Sequence, residues 1–395
     1  MRWVSASAEG SDLQEVLEAL LPRLQAGLHS EPADLSFLFV GAGHAPGAVE
    51  ISQRLRTALG DPHVLGCTAG GVIGGGRERE EPKAVSVLAG RMPGAGIHAF
   101  HLLERDLPDP DLPPRAWHEA VGIAPADEPT FVVLPDPYSF SADRLLAGLD
   151  YAWPGAVALG GLASGASQPG EQALFLDERV LKEGAVGVAL MGNVEFVPAV
   201  AQGCSPIGKT ATVSGCDGRL LTALDGRPAL EVLRETFLEA GDRERILAGR
   251  VLLLGFEMDP FAGGNEGPWL VRPLIGVDRR TKGLVIGEPL RKGRRVRFHV
   301  RDRGASQEDL EKTLDTVDLG SGAAPEAALL FSCLGRGEHL YGEPDHDSRI
   351  FRTHFGDMPV AGFFCNGEIG PVGSQTHVHG FTSAFGLIRP KHSLG

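Results

Sequence analysis

The sequence predicts an α/β fold of the mixed α+β kind, with two domains built from repeated β-α-β-turn units whose mixed sheets are flanked by helices. The chain has 395 residues, more than the roughly 250 to 300 residues at which one hydrophobic core usually divides. An apolar strand, a helix and a second strand that ends in a glycine-rich turn recur three times, an order typical of α/β units. Predicted strands outnumber predicted helices, so we expect sheets that are not purely parallel.

The first predicted element is an amphipathic helix close to the N-terminus. Ser11 and Gln14 have the form of a capping box, and the apolar residues that follow recur on one helical face. Those residues are Leu13, Val16, Leu17, Leu20, Leu21 and Leu24. The first unit then runs from a strand at Leu35–Val40, through a helix over 46–59, to a strand and turn over 64–74.

The second and third units repeat this order. Their predicted strands, helices and closing strand-turn segments are Phe131–Leu134, Ser141–Leu149 and 156–165, then Ala328–Cys333, Asp345–Phe355 and 360–370. Further strands are predicted at Ala84–Leu88, Gly96–Leu103, Ala185–Met191, Glu195–Ala201, Lys209–Val213 and Arg295–Arg301. A helix over Pro228–Ala240 is predicted to begin the C-terminal domain. We therefore expect a helical segment at 1–30, an N-terminal domain over 31–222 and a C-terminal domain over 223–395.

The net charge and the cysteine pattern argue against several classes of function. A formal net charge of -14 repels phosphate backbones and anionic lipid surfaces, so we expect neither nucleic acid nor a membrane as partner. No apolar run approaches the roughly 20 residues that cross a bilayer. Five scattered cysteines without a CxxC pair favour reduced thiols in the cytoplasm and give no metal centre. We expect no cofactor.

Six ordered segments resemble the FIST N-terminal and FIST C-terminal domains. They are 66–70, 160–164, 202–208, 224–230, 331–337 and 359–370, and the resemblance spans about 35–371. It implies a sensory module for signal transduction that binds a small ligand, such as an amino acid. No kinase, receptor, cyclase or F-box segment is recognisable in the sequence, so we expect the output to lie in a separate signalling protein.

The glycine-rich turns are the first candidate ligand site. Backbone N–H groups at glycine turns can surround a carboxylate or phosphate, and open α/β sheets bind ligands at such strand ends. The ligand-binding residues predicted in the first two turns are Cys67, Thr68, Gly70, Gly161 and Ser164. The alternative is that the glycines only permit tight turns and close strand packing.

Three residues of the third unit complete the predicted site. Arg336 is the expected anchor for an anionic ligand, because a planar guanidinium can donate two parallel hydrogen bonds to a carboxylate. Glu368 is expected to receive an ammonium group and Asn366 to add an amide contact. The alternative places an arginine and a carboxylate in ordinary exposed turns.

Two other functional interpretations of the sequence remain open at this point. Cys67 follows a strand at a sharp turn, like the nucleophile of a thiol-dependent hydrolase or acyl transferase, although no histidine stands near it in the sequence. His377 and His379 share one side of a predicted strand, but two histidines without further ligands fall short of a metal site. We expect a non-catalytic sensor that binds an amino acid or another small carboxylate. The alternatives are the Cys67 enzyme and an interaction scaffold without a ligand.

Overall fold

The computed structural model describes residues 1–242, 246–247, 251–258, 268–320 and 322–391. The chain forms two compact units, the first made of 1–200 and 312–395 and the second of 201–311. Helices and mixed sheets occur together, so the predicted fold class is confirmed. In the described ranges, no helix is both long enough and apolar enough to span a bilayer.

Among the described residues, the first unit contains three six-stranded sheets that share one strand order. The first sheet runs β1 (Arg2–Glu9), β6 (Ala84–Arg91), β2 (Leu35–Gly41), β3 (His63–Ala69), β10 (Leu174–Leu176), β11 (Arg179–Leu181). The second runs β7 (Ala95–Leu102), β12 (Ala185–Gly192), β8 (Thr130–Pro135), β9 (Ala158–Gly161), β23 (Glu368–Val372), β24 (Gln375–His379). The third runs β13 (Glu195–Ala201), β25 (Ser383–Arg389), β21 (Ala327–Cys333), β22 (Val360–Cys365), β4 (Val72–Gly74), β5 (Arg77–Arg79). The same arrangement therefore occurs three times.

Each sheet is centred on one parallel strand pair, joined by a crossover helix. The pairs are β2–β3, β8–β9 and β21–β22, and their helices are α2 (Ala48–Leu59), α4 (Ala142–Ala152) and α8 (His346–Phe355). These are the three units that the sequence predicts. Among the described residues, the other α-helices that lie wholly in this unit are α1 (Leu13–Gly27), α3 (Pro114–Val121) and α7 (Glu338–Tyr341).

The hairpin that follows each parallel pair joins the sheet of a different repeat. Hairpin β4–β5 of the first repeat pairs with β22 of the third, and β10–β11 of the second pairs with β3 of the first. Hairpin β23–β24 of the third repeat pairs with β9 of the second. Every repeat thus supplies two strands to a neighbour, in a closed cycle.

Three glycines at equivalent positions allow the parallel strands to lie close together. A Cβ at Gly66, Gly160 or Gly362 would lie 1.9, 1.9 or 1.7 Å from a carbonyl oxygen of the adjacent strand. No side chain can be accommodated at that distance, so these positions require glycine.

Alternate side chains of a strand face opposite sides of its sheet and enter different parts of the hydrophobic core. Phe37 and Phe39 of β2 face a core to which all three sheets contribute, whereas Leu38 and Val40 pack beneath α1 and α2. Strands covered on both faces are apolar throughout, which explains the continuous apolar runs in the sequence.

The N-terminal segment differs from the expectation that a helix comes first. Strand β1 precedes α1 and pairs with β6 over its whole length, from Arg2 to Glu9. Its sequence, RWVSASAE, is rich in Ser and Ala and carries little strand signal. The pairing is decided by β6, which is buried in the sheet and supplies the partner hydrogen bonds.

The second unit is antiparallel. Its strands are β14 (Ser205–Asp217), β15 (Leu220–Leu224), β16 (Arg227–Pro228), β17 (Leu252–Glu257), β18 (Trp269–Val277), β19 (Leu284–Ile286) and β20 (Arg295–Val300), and its helices include α5 (Ala229–Glu239) and the start of α6 (Arg303–Asp315). The order β14-β20-β17-β18-β19-β15 closes through a β14–β15 pairing into a six-stranded barrel. The predicted domains, 31–222 and 223–395, are continuous segments of the sequence, whereas the first compact unit combines two separate segments. The domain division therefore stays a prediction.

Candidate functional site

The three glycine-rich turns come together, and hydrogen bonds link them. The N–H of Ser164 in the second turn donates to the Thr68 carbonyl oxygen of the first turn at 3.3 Å. The N–H of Asn366 in the third turn donates to the Leu162 carbonyl oxygen of the second at 3.2 Å. The N–H of Phe364 in the third strand-turn segment donates to the Gly71 carbonyl oxygen of the first at 3.0 Å, so backbone hydrogen bonds join all three pairs of segments.

A side chain adds a further link between the turns. The N–H of Gly70 donates to Ser164 Oγ at 3.0 Å, and the Ser164 hydroxyl donates in turn to the Phe364 carbonyl oxygen. Ser164 thus reinforces the ring of hydrogen bonds that joins all three repeats, which we call the turn ring.

The turn ring corrects one expectation from the sequence. The turns do meet, but the N–H groups of Thr68, Gly70, Ser164 and Asn366 all donate to acceptors within the protein. Gly161 lies against Cys365, whose Sγ would be 2.3 Å from an added Cβ. The idea that these N–H groups surround an anion is wrong, because backbone and hydroxyl oxygens already accept them.

Cys67 lacks the environment of a nucleophile. Its side chain is fully buried on β3, and burial raises the pKa of its thiol well above the ordinary value. A reactive cysteine needs a stabilised thiolate. The thiol of Cys67 is stabilised in its neutral form and fills core space.

A buried network of charged and polar side chains lies at the end of β21 and the start of α8. Arg336 Nε and Nη2 donate to the Asp347 carboxylate at 2.8 and 3.1 Å, and both side chains are fully buried. Burial alone would raise the pKa of Asp347, but the charge of Arg336 and hydrogen bonds from His346 and Ser383 hold it well below the usual range. The guanidinium expected to grip a ligand carboxylate therefore grips a carboxylate of the chain itself.

His346 extends this network. Its Nδ1 lies 2.9 Å from Asp347 Oδ1, and a low-pKa carboxylate only accepts, so Nδ1 carries the hydrogen. The other ring nitrogen, Nε2, is buried and has no hydrogen-bond partner among the described residues. Tyr341 stacks on the ring with centroids 3.3 Å apart.

Glu78 enters the same network from the hairpin of the first repeat. Its Oε1 accepts the N–H of Ser348 in the first turn of α8 at 2.6 Å, and its Oε2 is buried without a hydrogen-bond partner among the described residues. Burial and the negative charge of Asp347 raise the pKa of Glu78 to about 8. Its protonated form is therefore favoured in comparison with that of an exposed glutamate.

Glu368 forms the other end of the network. It is fully buried; Oε2 accepts the N–H of Thr382 at 3.0 Å, and Oε1 has no hydrogen-bond partner in the described chain. Burial raises the pKa of Glu368 to about 8, against the opposing charge of Arg336. Asn366, two residues earlier, is exposed. The structure thus brings together Arg336 and Glu368 and leaves Asn366 in the turn ring.

Two residues beside the network have strained backbones. Phe381, whose carbonyl oxygen accepts from Arg336 Nη1 at 3.3 Å, has φ +68°, and Asp345, which precedes α8, has φ +59°. A bulky side chain rarely adopts this left-handed region, and such strain costs about 1 to 3 kcal/mol. Strain of this kind concentrates at functional sites.

A surface cleft of about 680 Å³, which the sequence did not reveal, opens at the starts of β2 and β3. Its charged side chains pair with one another: Arg56 contacts Asp61 and Glu178, and His63 lies 3.0 Å from Asp177. Because these groups satisfy each other, we place the candidate site at the buried network instead.

The two histidines considered as metal ligands lie on β24. His379 is buried with Nε2 3.0 Å from the Gly370 carbonyl oxygen, and its ring centroid is 6.4 Å from that of His377. Within the described part of the chain, no group of three or more His, Cys, Asp or Glu side chains is arranged to hold a metal ion.

Comparison with known proteins identifies the two halves of this architecture. Residues 34–227 match the FIST N domain and residues 229–371 match the FIST C domain. The chain belongs to the FIST family. FIST domains are associated with sensory signal transduction. Glu78 comes from the FIST N segment and Asp347 from the FIST C segment, so both segments contribute to the network within the first compact unit.

Relatives of similar length occur in mycobacteria. An uncharacterized protein of Mycobacterium tuberculosis is 35% identical over 358 residues, which cover 90% of this chain and 91% of the relative. An uncharacterized protein of Mycobacterium bovis is 33% identical over 365 residues, covering 91% and 92%. A crystal structure of cyanuric acid hydrolase from A. caulinodans aligns over 98% of this chain and 99% of its own, with 10% identity and a TM-score of 0.32. That likeness is too distant to support an argument about activity.

Proposed function

We propose that this FIST protein is a cytoplasmic sensory module that binds a small polar ligand, such as an amino acid, at the buried network around Arg336 and Asp347. The observation that carries the proposal is the pair of buried carboxyl groups, Glu78 and Glu368, each with one oxygen that has no hydrogen-bond partner among the described residues. Leaving a buried polar atom unpaired costs about 1 to 3 kcal/mol. A buried polar atom without a partner in a native protein calls for an explanation, and a bound group that completes it is the explanation we favour here.

The network contains one ion pair whose partners satisfy each other and two carboxyl groups that can still change their protonation. Arg336 and Asp347 satisfy each other and hold the end of β21 against α8. Glu78 and Glu368 have pKa values of about 8, so each can lose its proton when a donor group arrives. In this proposal Arg336 orders the site and Glu368 contacts the ligand as the sequence predicts. The turn ring, with Thr68, Gly70, Ser164 and Asn366, supports the site, whereas Cys67 and Gly161 only pack in the core.

Signal transfer follows from differential binding. A ligand shifts an equilibrium between two conformations only as far as its affinities for them differ. The strained Phe381 and Asp345 border the network, and we propose that relaxation of these residues on ligand binding changes the surface offered to a separate output protein.

A thermal-shift panel of amino acids, small organic acids and nucleotides tests the proposal. A ligand at 100 times its dissociation constant stabilises the folded state by about 2.7 kcal/mol. Glu368→Gln keeps the side-chain shape and should reduce the stabilisation, whereas Glu171→Gln, at an exposed position, should leave it unchanged. If no compound stabilises the protein, or if both variants respond like the wild type, the sensor proposal fails.

A further inference from the structure

Two cysteines occupy directly opposite positions at the ends of the central parallel strands of the third repeat. Cys333, the last residue of β21, pairs in register with Cys365, the last residue of β22. Both thiols are free. Cys216 of the second unit, by contrast, lies opposite Leu221. We call Cys333 and Cys365 the thiol pair.

The strand geometry brings the two side chains of the thiol pair together. Side chains alternate along each strand, so residues directly opposite each other on neighbouring strands face the same side of the sheet. Two positions earlier in the same row, Phe331 and Phe363 are in ring contact, with centroids 5.8 Å apart. Neighbouring strands lie about 4.7 to 4.9 Å apart, and the Cα atoms of a disulfide are about 4.4 to 6.8 Å apart. The spacing of the strands therefore permits a bond between Cys333 and Cys365.

The two thiols differ in their exposure. Cys365 is fully buried, its thiol donates to the Phe363 carbonyl oxygen at 3.5 Å, and burial raises its pKa well above the ordinary value. Cys333 is half-buried, at the point where β21 ends. A small reactant dissolved in water can therefore reach Cys333, whereas Cys365 is shielded.

The surroundings of Cys333 favour negative charge on its sulfur. The N–H of Gly335 donates to Cys333 Sγ at 3.4 Å, and the positive charge of Arg336 acts on the same thiol. Hydrogen-bond donors and cations stabilise the thiolate, which is the form of cysteine that reacts with oxidants. The carboxyl group of Glu368 also lies beside Cys333, but burial raises its pKa to about 8, which favours its neutral form and reduces its repulsion.

We propose that Cys333 and Cys365 are a peroxide-sensitive pair that forms a reversible disulfide and thereby regulates the ligand site. Cys333 is the thiol that the peroxide oxidises, and Cys365 is the thiol that resolves the product. Redox-sensor cysteines are accessible, have thiolate character and often lie next to a resolving cysteine. Disulfides in cytosolic proteins are mostly transient bonds of this redox-sensing or catalytic kind.

The reaction uses hydrogen peroxide as the oxidant and has two steps. The Cys333 thiolate attacks one peroxide oxygen, so an S–O bond forms, the O–O bond breaks, and the leaving hydroxide takes up a proton as water. The Cys365 thiol then attacks the sulfur of the sulfenic acid, so an S–S bond forms and the hydroxyl group leaves as water with the thiol proton. The two thiols together lose two electrons, and the peroxide gains them.

The disulfide would change the ligand site, because Cys333 is part of its surroundings. The N–H of Arg336 donates to the Cys333 carbonyl oxygen at 2.8 Å, and the Cys333 thiol lies beside Glu368. To form the bond, the Cys365 sulfur turns away from Gly161, against which it packs, and the Cys333 sulfur moves away from Glu368. This regulatory part of the inference rests on the proposed sensor function.

Mass spectrometry of the oxidised protein tests the thiol pair directly. The folded protein is treated with hydrogen peroxide, free thiols are alkylated, and the digest is searched for a Cys333–Cys365 peptide that dithiothreitol separates. We expect this peptide to form, and we expect Cys333 to lose its free thiol about tenfold faster than Cys216, which is also half-buried. Absence of the linked peptide, or equal rates at Cys333 and Cys216, overturns the inference.

A cysteine variant separates the two steps. In Cys365→Ser the sulfenic acid at Cys333 has no resolving thiol, so it should persist and be trapped by dimedone. Cys216→Ser is the matched control and should form the disulfide as the wild type does. A short peroxide pulse on the wild type in the presence of dimedone reports the same intermediate without a substitution in the core. If neither experiment traps a sulfenic acid at Cys333, the assignment of Cys333 as the oxidised thiol is rejected.

Thermal shift with the metabolite panel tests the link to the ligand site. A compound that stabilises the reduced protein should stabilise the peroxide-treated protein less, and dithiothreitol should restore the full shift. Equal shifts before and after oxidation overturn the regulatory part. If the disulfide forms and no compound stabilises the reduced protein, the thiol pair stands and the sensor function fails. If a compound binds and no disulfide forms, only the present inference fails.

Discussion

Glu78 accepts a hydrogen bond from the backbone N–H of Ser348 although 270 positions separate the two residues in the chain. The contact exists because hairpin β4–β5 of the first repeat completes the sheet of the third. It brings a carboxyl group from the FIST N segment to the first turn of a helix in the FIST C segment. The N–H groups of a helix's first turn lack partners within the helix, so Glu78 satisfies one of them.

The pKa of Glu368 predicts a pH dependence of stability. Its folded pKa is about 8 and its unfolded pKa is near 4.3, so between these values the folded state binds more protons. The free energy of unfolding should therefore fall as pH rises from about 4.5 to 8, by up to about 1.4 kcal/mol per pH unit for one group. Glu368→Gln should flatten this slope in urea unfolding at several pH values. An unchanged slope would show that Glu368 titrates normally.

Breaking the buried ion pair should be costly. Arg336→Met leaves Asp347 buried without its arginine, and loss of one partner of a buried pair costs about 3 to 5 kcal/mol. The double variant with Asp347→Leu should recover part of this loss in denaturant unfolding, since no unpaired charge remains. Arg349→Met, which breaks an exposed pair with Glu343, should cost at most about 1 kcal/mol. Equal effects of the two single variants would contradict the prediction.

One hydroxyl, that of Ser164, makes two of the hydrogen bonds in the turn ring. Ser164→Ala removes the acceptor for Gly70 N–H and the donor for the Phe364 carbonyl oxygen, and it should lower the free energy of unfolding by about 1 to 3 kcal/mol. Ser167→Ala, exposed in the same loop, provides the comparison. Hydrogen–deuterium exchange should show faster exchange at Gly70 in the Ser164 variant alone. Protection of Gly70 at the wild-type level would mean that the hydroxyl link is dispensable.

The close approach of the parallel strands predicts a glycine requirement. Gly362→Ala would place a methyl group 1.7 Å from the Leu330 carbonyl oxygen, and the strands must separate to relieve it. We expect a loss of more than about 3 kcal/mol or failure to fold, because the contact is with backbone. Gly380→Ala meets no atom within 4 Å and should have little effect on the thermal midpoint. A well-folded Gly362→Ala protein would show that the strands can move apart.

His299 predicts the opposite pH response in the second unit. It is buried on β20, and burial lowers its pKa to about 4. Its contribution to stability is complete above the unfolded pKa of about 6.5 and is lost as pH falls towards 4. Amide exchange in β17 and β20 should accelerate over that interval, and His299→Gln should abolish the acceleration. Acceleration that persists in this variant would assign the effect to another group.

Local patterns were sufficient to predict the repeats. The apolar runs at 35–40, 131–134 and 328–333 lie in observed strands, and each predicted helix is present. On β20, Val296, Phe298 and Val300 are buried as the alternation predicts, although His299 on the other face is buried too. These features depend on residues close together in the chain, where periodicity carries the information.

The candidate site is formed by residues that lie far apart in the sequence, and local sequence patterns do not predict contacts of this kind. Arg336 and Glu368 were chosen from their turns, but Asp347, His346 and Glu78 were not. The Gly75-Gly76 pair followed by Arg77 and Glu78 is a hairpin signal that was available in the sequence. Which sheet this hairpin joins is decided by tertiary packing, so the burial of Glu78 was not predictable.

The cyclic exchange of hairpins makes the repeats mutually dependent. A chain cut between 227 and 229, where the two family segments meet, would keep β4–β5 and β9 on one fragment and leave their partners β22 and β23 on the other. Neither fragment could finish its own sheets, and each would expose unpaired edges. We therefore expect the two segments to occur together in one chain. Separately expressed halves should become stable only when each supplies the strands that the other lacks.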